Sequence, residues 1–454
     1  MTATRLRLCP VGSVLVVVRS GILAHTLPIA VADSPVSINQ DLKAFYCPDS
    51  DLNEWLALAL RSLAPEILSN NRKDGTTVQS VRYEELCNLI IPVPPSIEQK
   101  MITARLGELL RKVRDTKDRL SRVPTILKRF RQAVLSAACS GRLTQGWRAQ
   151  HQQIETGSEL LSLIEKAREE NAAKQGKRRA SFPKHLPNYD IEDDVLISKD
   201  LPESWILCRV DQIATVCLGG TPSRKEPSYW NGELPWVSSG EVANCRINST
   251  RERITHEGLA ASNAKVYPKG TVLIAMIGEG KTRGQAAVLE TEASTNQNVA
   301  GLVFDAGNIS SDYVWYWALS EYEKNRAVGR GGAQPALNGE KVRALTLPLP
   351  PIEEQREIVR TVEGLFRLSE TVEVRLDFAT RLGARLTQSI LAKAFRGELV
   401  PGEAEVARRE GREYEPASVL LERIKKERNS VTPSKATRQR TRSNGTLASA
   451  KGKA

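Results

Sequence analysis

Two stretches of this chain carry apolar positions that recur in alternating steps of four and three. In the later stretch they are Ile358, Val362, Leu365, Ser369, Val372, Leu376 and Ala379, with charged residues between them. The earlier stretch repeats the pattern at Ile102, Leu106, Leu109, Val113, Thr116, Leu120 and Val123. A seam with this heptad spacing, held for more than three heptads, predicts a long helix that packs its stripe against another helix. Two seams in matching phase predict that they pack on each other. Pro124 and Gly383 suggest a break in each helix, followed by a shorter helix ending near Gly141 and Gly397. Between the two stretches the pattern changes. Residues 272–277 and 300–304 read as strands and 312–325 as a helix, with Gly, Ser, Thr and Asn between them. Residues 158–170 predict a short helix, and residues 167–190 a charged linker containing Lys177-Arg178-Arg179.

The seams belong to a larger repeat. Residues 89–99 read LIIPVPPSIEQ and residues 345–355 read LTLPLPPIEEQ. The double proline suits a helix entry, because proline is tolerated at the first turn. The offset from Pro95 to Pro351 persists, without a gap, from Gly141-Arg142-Leu143 to Gly397-Glu398-Leu399. Upstream, Pro10-Val11-Gly12-Ser13 matches Pro268-Lys269-Gly270-Thr271, and Asn39-Gln40 matches Asn296-Gln297. Because Asn-Gln recurs in both copies, it suits a structural role such as satisfying a turn better than the reading of two different sequences. So long a period excludes a solenoid and means a duplicated module. The second copy has a leading segment, roughly residues 201–266, without a counterpart before Met1. The first module is therefore expected to lack its first half, to pack poorly, and to reflect either a truncated gene or a start codon assigned too late.

A chain of 454 residues suggests two or three domains, and 41% hydrophobic residues suffice for real cores. The net charge of +12 favours a polyanionic partner, nucleic acid before membrane. Part of that charge is local: from Lys425 to the end there are nine Lys or Arg and one acid, Glu427, which reads as a disordered basic tail. The seven cysteines never stand in CxxC spacing, which argues for reduced thiols in a cytoplasm and against a zinc site or disulfide frame. No run approaches the ~18 apolar residues of a membrane span. The apolar opening that ends at Arg19 reads as an internal strand, since it matches the run after Pro268.

One catalytic motif presents itself. Residues 275–282, AMIGEGKT, match a loose phosphate-loop pattern with Lys281 as its lysine. Such a loop must open a helix whose N-terminus holds the phosphates. Here Arg283-Gly284-Gln285 lead into another strand-like run, so a β-hairpin loop is the expected structure. A P-loop enzyme using Lys281 is one rival reading, and a coiled-coil scaffold that never touches DNA is another.

Two mixed domains, each followed by a PP-x-x-EQ motif and a long heptad helix, resemble the specificity (S) subunits of type I restriction–modification systems. The segments 19–30, 37–44, 219–242, 294–301 and 331–359 carry the resemblance, in order and with the duplication. It implies an α+β fold with two target-recognition domains, the first incomplete here, separated by long antiparallel coiled-coil helices. It implies a non-catalytic, cytoplasmic subunit that reads a split DNA target and docks methyltransferase (M) and restriction (R) subunits. Those partners would bring S-adenosylmethionine, ATP and magnesium, and this chain no cofactor. The expected organisation is a partial first recognition domain at 1–95, repeat helices at 96–150, a short helix and linker at 151–200, a second recognition domain at 201–351, repeat helices at 352–425 and the tail at 426–454.

The residues themselves are consistent with this. A helix over 96–122 rises about 1.5 Å per residue and spans about 40 Å, against about 34 Å for one turn of duplex. Base-reading candidates are polar or basic residues in predicted loops: Arg19, Arg72, Lys73 and Thr76 in the first domain, and Thr221, Ser223, Arg224, Lys281, Arg283, Arg330 and Gln334 in the second. Arginine grips guanine, and glutamine adenine, through paired hydrogen bonds. Leu109, Val113, Leu365 and Val372 are the candidates for helix packing and subunit docking. Trp230 and Trp236 are expected in the core.

Overall fold

The computed structural model describes residues 8–70, 72–73, 79–151, 155–174, 201–278, 280–304, 308–327 and 337–431. The part of the linker after 174 and the tail after 431 lie outside the described residues. The chain divides into two compact units, Met1–Ser121 with Asp377–Ala454, and Arg122–Leu376. Among the described residues no helix is long and apolar enough to cross a membrane.

In the first unit the strand Val14–Val17 lies between Ile29–Val31 and Leu42–Phe45, antiparallel to both. Its alternate residues Val14 and Val16 are fully buried, as the period of two requires when one face is covered. The helix Ser50–Asn70 covers that face with Leu60 and Ile67. A second core gathers Trp55, Ile102, Leu106, Ile390, Leu391 and Ala394. Trp55 donates its indole N–H to the Pro92 carbonyl oxygen at 2.8 Å, and its ring lies 4.6 Å from that of Phe395.

The second unit is built on a five-stranded sheet in the order Cys245–Ile247, Ala286–Leu289, Val272–Ala275, Val299–Val303, Thr215–Leu218. The strand Val272–Ala275 explains its own unbroken apolar sequence. Val272 and Ile274 enter the core that contains Tyr313, Trp315 and Trp317 of the helix Ser311–Ser320, whereas Leu273 and Ala275 enter a separate core with Val237 and Tyr267. A strand covered on both faces has no polar side to show.

The two long helices are Ser96–Cys139 and Ile352–Phe395, 44 residues each, or about 66 Å at about 1.5 Å per residue. Neither breaks where expected. Pro124 costs one backbone hydrogen bond and roughly 3 kcal/mol, but Leu127, Val134, Leu135 and Ala138 are buried beyond it, at about 1.5–3 kcal/mol for each large side chain. Gly383 is likewise passed without interruption. Both helices end near the expected glycines, which take the left-handed conformation at φ +74° (Gly141) and +73° (Gly397). The helix Gly157–Lys174 also extends further than expected, into the proposed linker.

Within each unit the long helices run antiparallel. In the first, Ile102 and Leu106 share a core with Ile390 and Ala394, while further along Lys117 Nζ lies 3.4 Å from Thr387 Oγ1. In the second, Arg131 pairs with Glu373 at 3.1 Å, while Val134 and Ala138 share a core with Ile358 and Val362. Thr116 departs from the expected seam and is exposed, its hydroxyl turned back to the Lys112 carbonyl oxygen at 2.8 Å.

The sequence repeat is a repeat of contacts. Gly12 and Gly270 both have positive φ, at +83° and +86°. After each, a hydroxyl donates to a proline carbonyl oxygen: Ser13 to Pro10 at 2.6 Å and Thr271 to Pro268 at 2.8 Å. Asn39 Oδ1 accepts from Asp41 N at 3.0 Å and Asn296 Oδ1 from Asn298 N at 3.1 Å. The recurring asparagines thus close turns, as their presence in both copies suggests.

Candidate nucleic-acid interface

The segment after Thr215–Leu218 is held by close backbone approach. A Cβ on Gly219 would lie 2.2 Å from the carbonyl oxygen of Asn296, and one on Gly220 would lie 2.3 Å from Ala264 N. Glycine is therefore required at both positions. Trp236, 2% exposed, donates its indole N–H to the Gly220 carbonyl oxygen at 3.0 Å. Trp236 is core, as expected, and Trp230 is half-buried with its ring edge-on to Trp236 at 5.1 Å. This platform presents Thr221, Ser223 and Arg224 together. Thr221 Oγ1 donates to Gln297 Oε1 at 2.5 Å.

Arg224 is engaged on two sides. Its guanidinium lies 3.6 Å from the centre of the Trp230 ring, and it donates to both oxygens of Glu252 at 2.5 and 2.9 Å. That hydrogen bonding holds the Glu252 carboxyl below the usual carboxylate range and raises the guanidinium above its own. An arginine held this way must leave Glu252 before it can grip a guanine edge with the same two N–H groups. Lys225 and Arg251, neighbours in sequence of that pair, are exposed, and the sequence reading missed both. Their signal is weak: isolated basic residues flanking a short strand.

Lys281 and Arg283 separate in space although close in sequence. Lys281 is exposed, whereas Arg283 is 7% exposed and donates to the Arg326 carbonyl oxygen at 2.8 Å. Arg283 thus serves to tie down a loop. Arg330 and Gln334 lie outside the described residues, as does Thr76. In the first unit the backbone brings three candidates to one place. Arg19 bridges Ser80, and Ser80 is also the antiparallel partner of Lys73 in the short pairing of 72–73 with 80–81. Arg19 is exposed.

The glycine-rich connection that carries Lys281 joins Val272–Ala275 to Ala286–Leu289, two antiparallel neighbours in the sheet. Among its described residues it opens no helix, so it lacks the N–H cradle that a phosphate loop needs. The P-loop reading is excluded by that pairing.

The model of the type I restriction modification DNA specificity domain matches residues 7–124 and 202–376, the two copies of the repeat. The chain belongs to this family. It is 29% identical to the specificity subunit of the type I restriction enzyme EcoDI of Escherichia coli, over 85% of this chain and 79% of that protein. It is 31% identical to the EcoBI specificity subunit of the same species, over 82% of this chain and 71% of that one. A solved structure described as the structural basis of complex assembly and conformational transition of the type I R-M system superposes with a TM-score of 0.59 at 18% identity, covering 87% of this chain and 85% of its own. That likeness supports the fold. Members of this specificity-subunit family are non-catalytic DNA-recognition subunits without a cofactor of their own, which sets aside the scaffold reading.

Of the residues expected to pack the helices, Leu109 and Val113 lie against the core of Ile102 and Ile390 in the first unit, and Leu365 against that of Ile358 and Val362 in the second. Val372 is half-buried. A second apolar line was missed. Phe378, Leu382 and Leu386, in steps of four, are 68%, 53% and 47% exposed on the second long helix. Phe378 and Leu382 each stand one residue before the line of the seam, at Ala379 and Gly383, so the stronger seam masks their phase.

Proposed function

We propose that this chain reads a split DNA target, one half with each recognition domain, and docks the M and R subunits of a type I restriction–modification complex in a cytoplasm. The partners would supply S-adenosylmethionine, ATP and magnesium. The observation that carries the reading is the repetition of whole contacts, from the Gly12 and Gly270 turns to the head of each long helix. Two copies of one unit suit a two-part target. The platform holding Thr221, Ser223 and Arg224 and the backbone cluster of Arg19, Arg72 and Lys73 are the proposed contact regions, with phosphate contacts giving affinity and base edges giving specificity.

Docking is proposed for the line of Phe378, Leu382 and Leu386, because an exposed apolar stripe of this kind marks an interaction surface. Phe378→Glu should prevent co-purification of the M subunit while leaving the melting temperature of the chain unchanged.

The target follows from sequencing the methylated genomic DNA of cells with and without the gene. One base pair should then be inserted into the unread gap, which rotates one half-site by about 34°. Binding by the complex should weaken at least tenfold. Equal affinity at every gap length would overturn the two-part reading.

A further inference from the structure

In the first unit a cavity of about 380 Å³ opens beside the helix Ser50–Asn70 and the two long helices. Arg61, Arg114 and Lys117 line it. Among the described residues none of the three is paired with a carboxylate, whereas Arg105, Arg131 and Arg360 on the same two long helices are each ion-paired.

The cations are held towards one another. Arg61 donates to the Ile29 carbonyl oxygen at 3.0 Å, and Lys117 Nζ lies 3.4 Å from Thr387 Oγ1. Arg114 and Lys117 stand three residues apart, on one face of their helix. The Arg61 guanidinium is pushed below its ordinary range, first by partial desolvation and then by the charge of Arg114. Like charges kept together at such a cost favour a bound anion. Thr26 and Gln388 add hydrogen-bonding groups to the wall.

We propose that this cavity binds a phosphate group, gripped by Arg61, Arg114 and Lys117. The group comes either from the DNA backbone or from a free phosphate compound. The first source rests on the DNA-reading function proposed for the chain, and the second does not.

The test uses the full-length chain with Arg114→Gln and Lys117→Gln, both at exposed positions where the loss of charge leaves the fold intact. Arg129→Gln, an exposed cation outside the cavity, is the control. Pyrophosphate is titrated by calorimetry, and duplex DNA binding is measured against salt. Both cavity variants should bind pyrophosphate at least tenfold more weakly, with the control unchanged. If the source is DNA, the slope of log K against log[salt] should also become less negative, by about 0.9 for each phosphate no longer gripped. A pyrophosphate effect with an unchanged DNA slope assigns the site to a free phosphate compound. If neither measurement separates the cavity variants from the native chain and the control, the proposal is overturned. Failure of the chain to bind any DNA would count against the proposed function and leave the pyrophosphate measurement to decide the site.

Discussion

Gln355 donates its side-chain amide to the carbonyl oxygen of Pro350 at 2.9 Å, five residues back across the start of the second long helix. Gln99 does the same to Pro94 at 2.8 Å. Both glutamines are buried, and their backbone N–H groups bond to the carbonyl oxygens of Pro351 and Pro95. The repeated PP-x-x-EQ is thus a helix entry that satisfies its own buried polar groups. Its glutamate works at longer range. Fully buried Glu354 accepts from Thr144 at 2.7 Å and from the Trp205 indole at 2.8 Å and pairs with Arg148, while Glu98 accepts from Glu403 N at 2.9 Å.

Gln355 also accepts from Ser310 N at 2.9 Å. Gln355→Ala should therefore leave a part-buried donor and a buried acceptor unmatched and cost about 2–3 kcal/mol, against about 1–2 kcal/mol for Gln99→Ala. Urea unfolding of the two variants checks the order.

Gly364 lies inside the second long helix, and a Cβ there would meet nothing within 4 Å. Gly364→Ala should stabilise the chain by about 0.8–1 kcal/mol, the helix-propensity difference. A lower melting temperature would show that this position is covered.

Glu290 is held below the usual carboxylate range by its hydrogen bond to Arg246 and, more weakly, by Lys269. Its folded pKa is depressed, so its contribution is present above the unfolded value near about 4.3 and is lost as pH falls through the folded one. The pair is partly exposed, so about 1 kcal/mol or less is at stake. Unfolding of native and Glu290→Gln chains should converge as the pH drops below about 4.

Burial pushes the Cys139 thiol up to about 12 and raises Cys208 further still, whereas Cys87 is exposed. Alkylation follows the thiolate. Iodoacetamide at mildly alkaline pH should modify Cys87 within minutes and leave Cys139 and Cys208 intact in the folded chain, as mass spectrometry of the peptides would show.

The features legible in the sequence are those with a period or a repeat. The seams, the helix ends at Gly141 and Gly397 and the turn role of Asn39 and Asn296 all have local signals. The continuity through Pro124 has none, because it depends on burial of Val134 and Ala138 against Ile358 and Val362, more than two hundred positions away. The candidate site was less legible for the same reason. Arg224 meets Glu252, 28 residues on, and Arg283 meets the carbonyl of Arg326, 43 residues on. Neither partner leaves a mark near the arginine.

The division of the chain has a consequence for the order in which it is made. The unit Arg122–Leu376 is continuous and can close as soon as it leaves the ribosome. The unit that begins at the N-terminus is synthesised first but is finished last. Trp55, Ile102 and Leu106 must wait for Ile390, Leu391 and Phe395, close to three hundred residues later. At about 5–20 residues per second, that wait lasts tens of seconds. A ribosome that stalls before residue 390 would release a chain whose sheet core is closed but whose second core, around Trp55, Ile102 and Leu106, is still open.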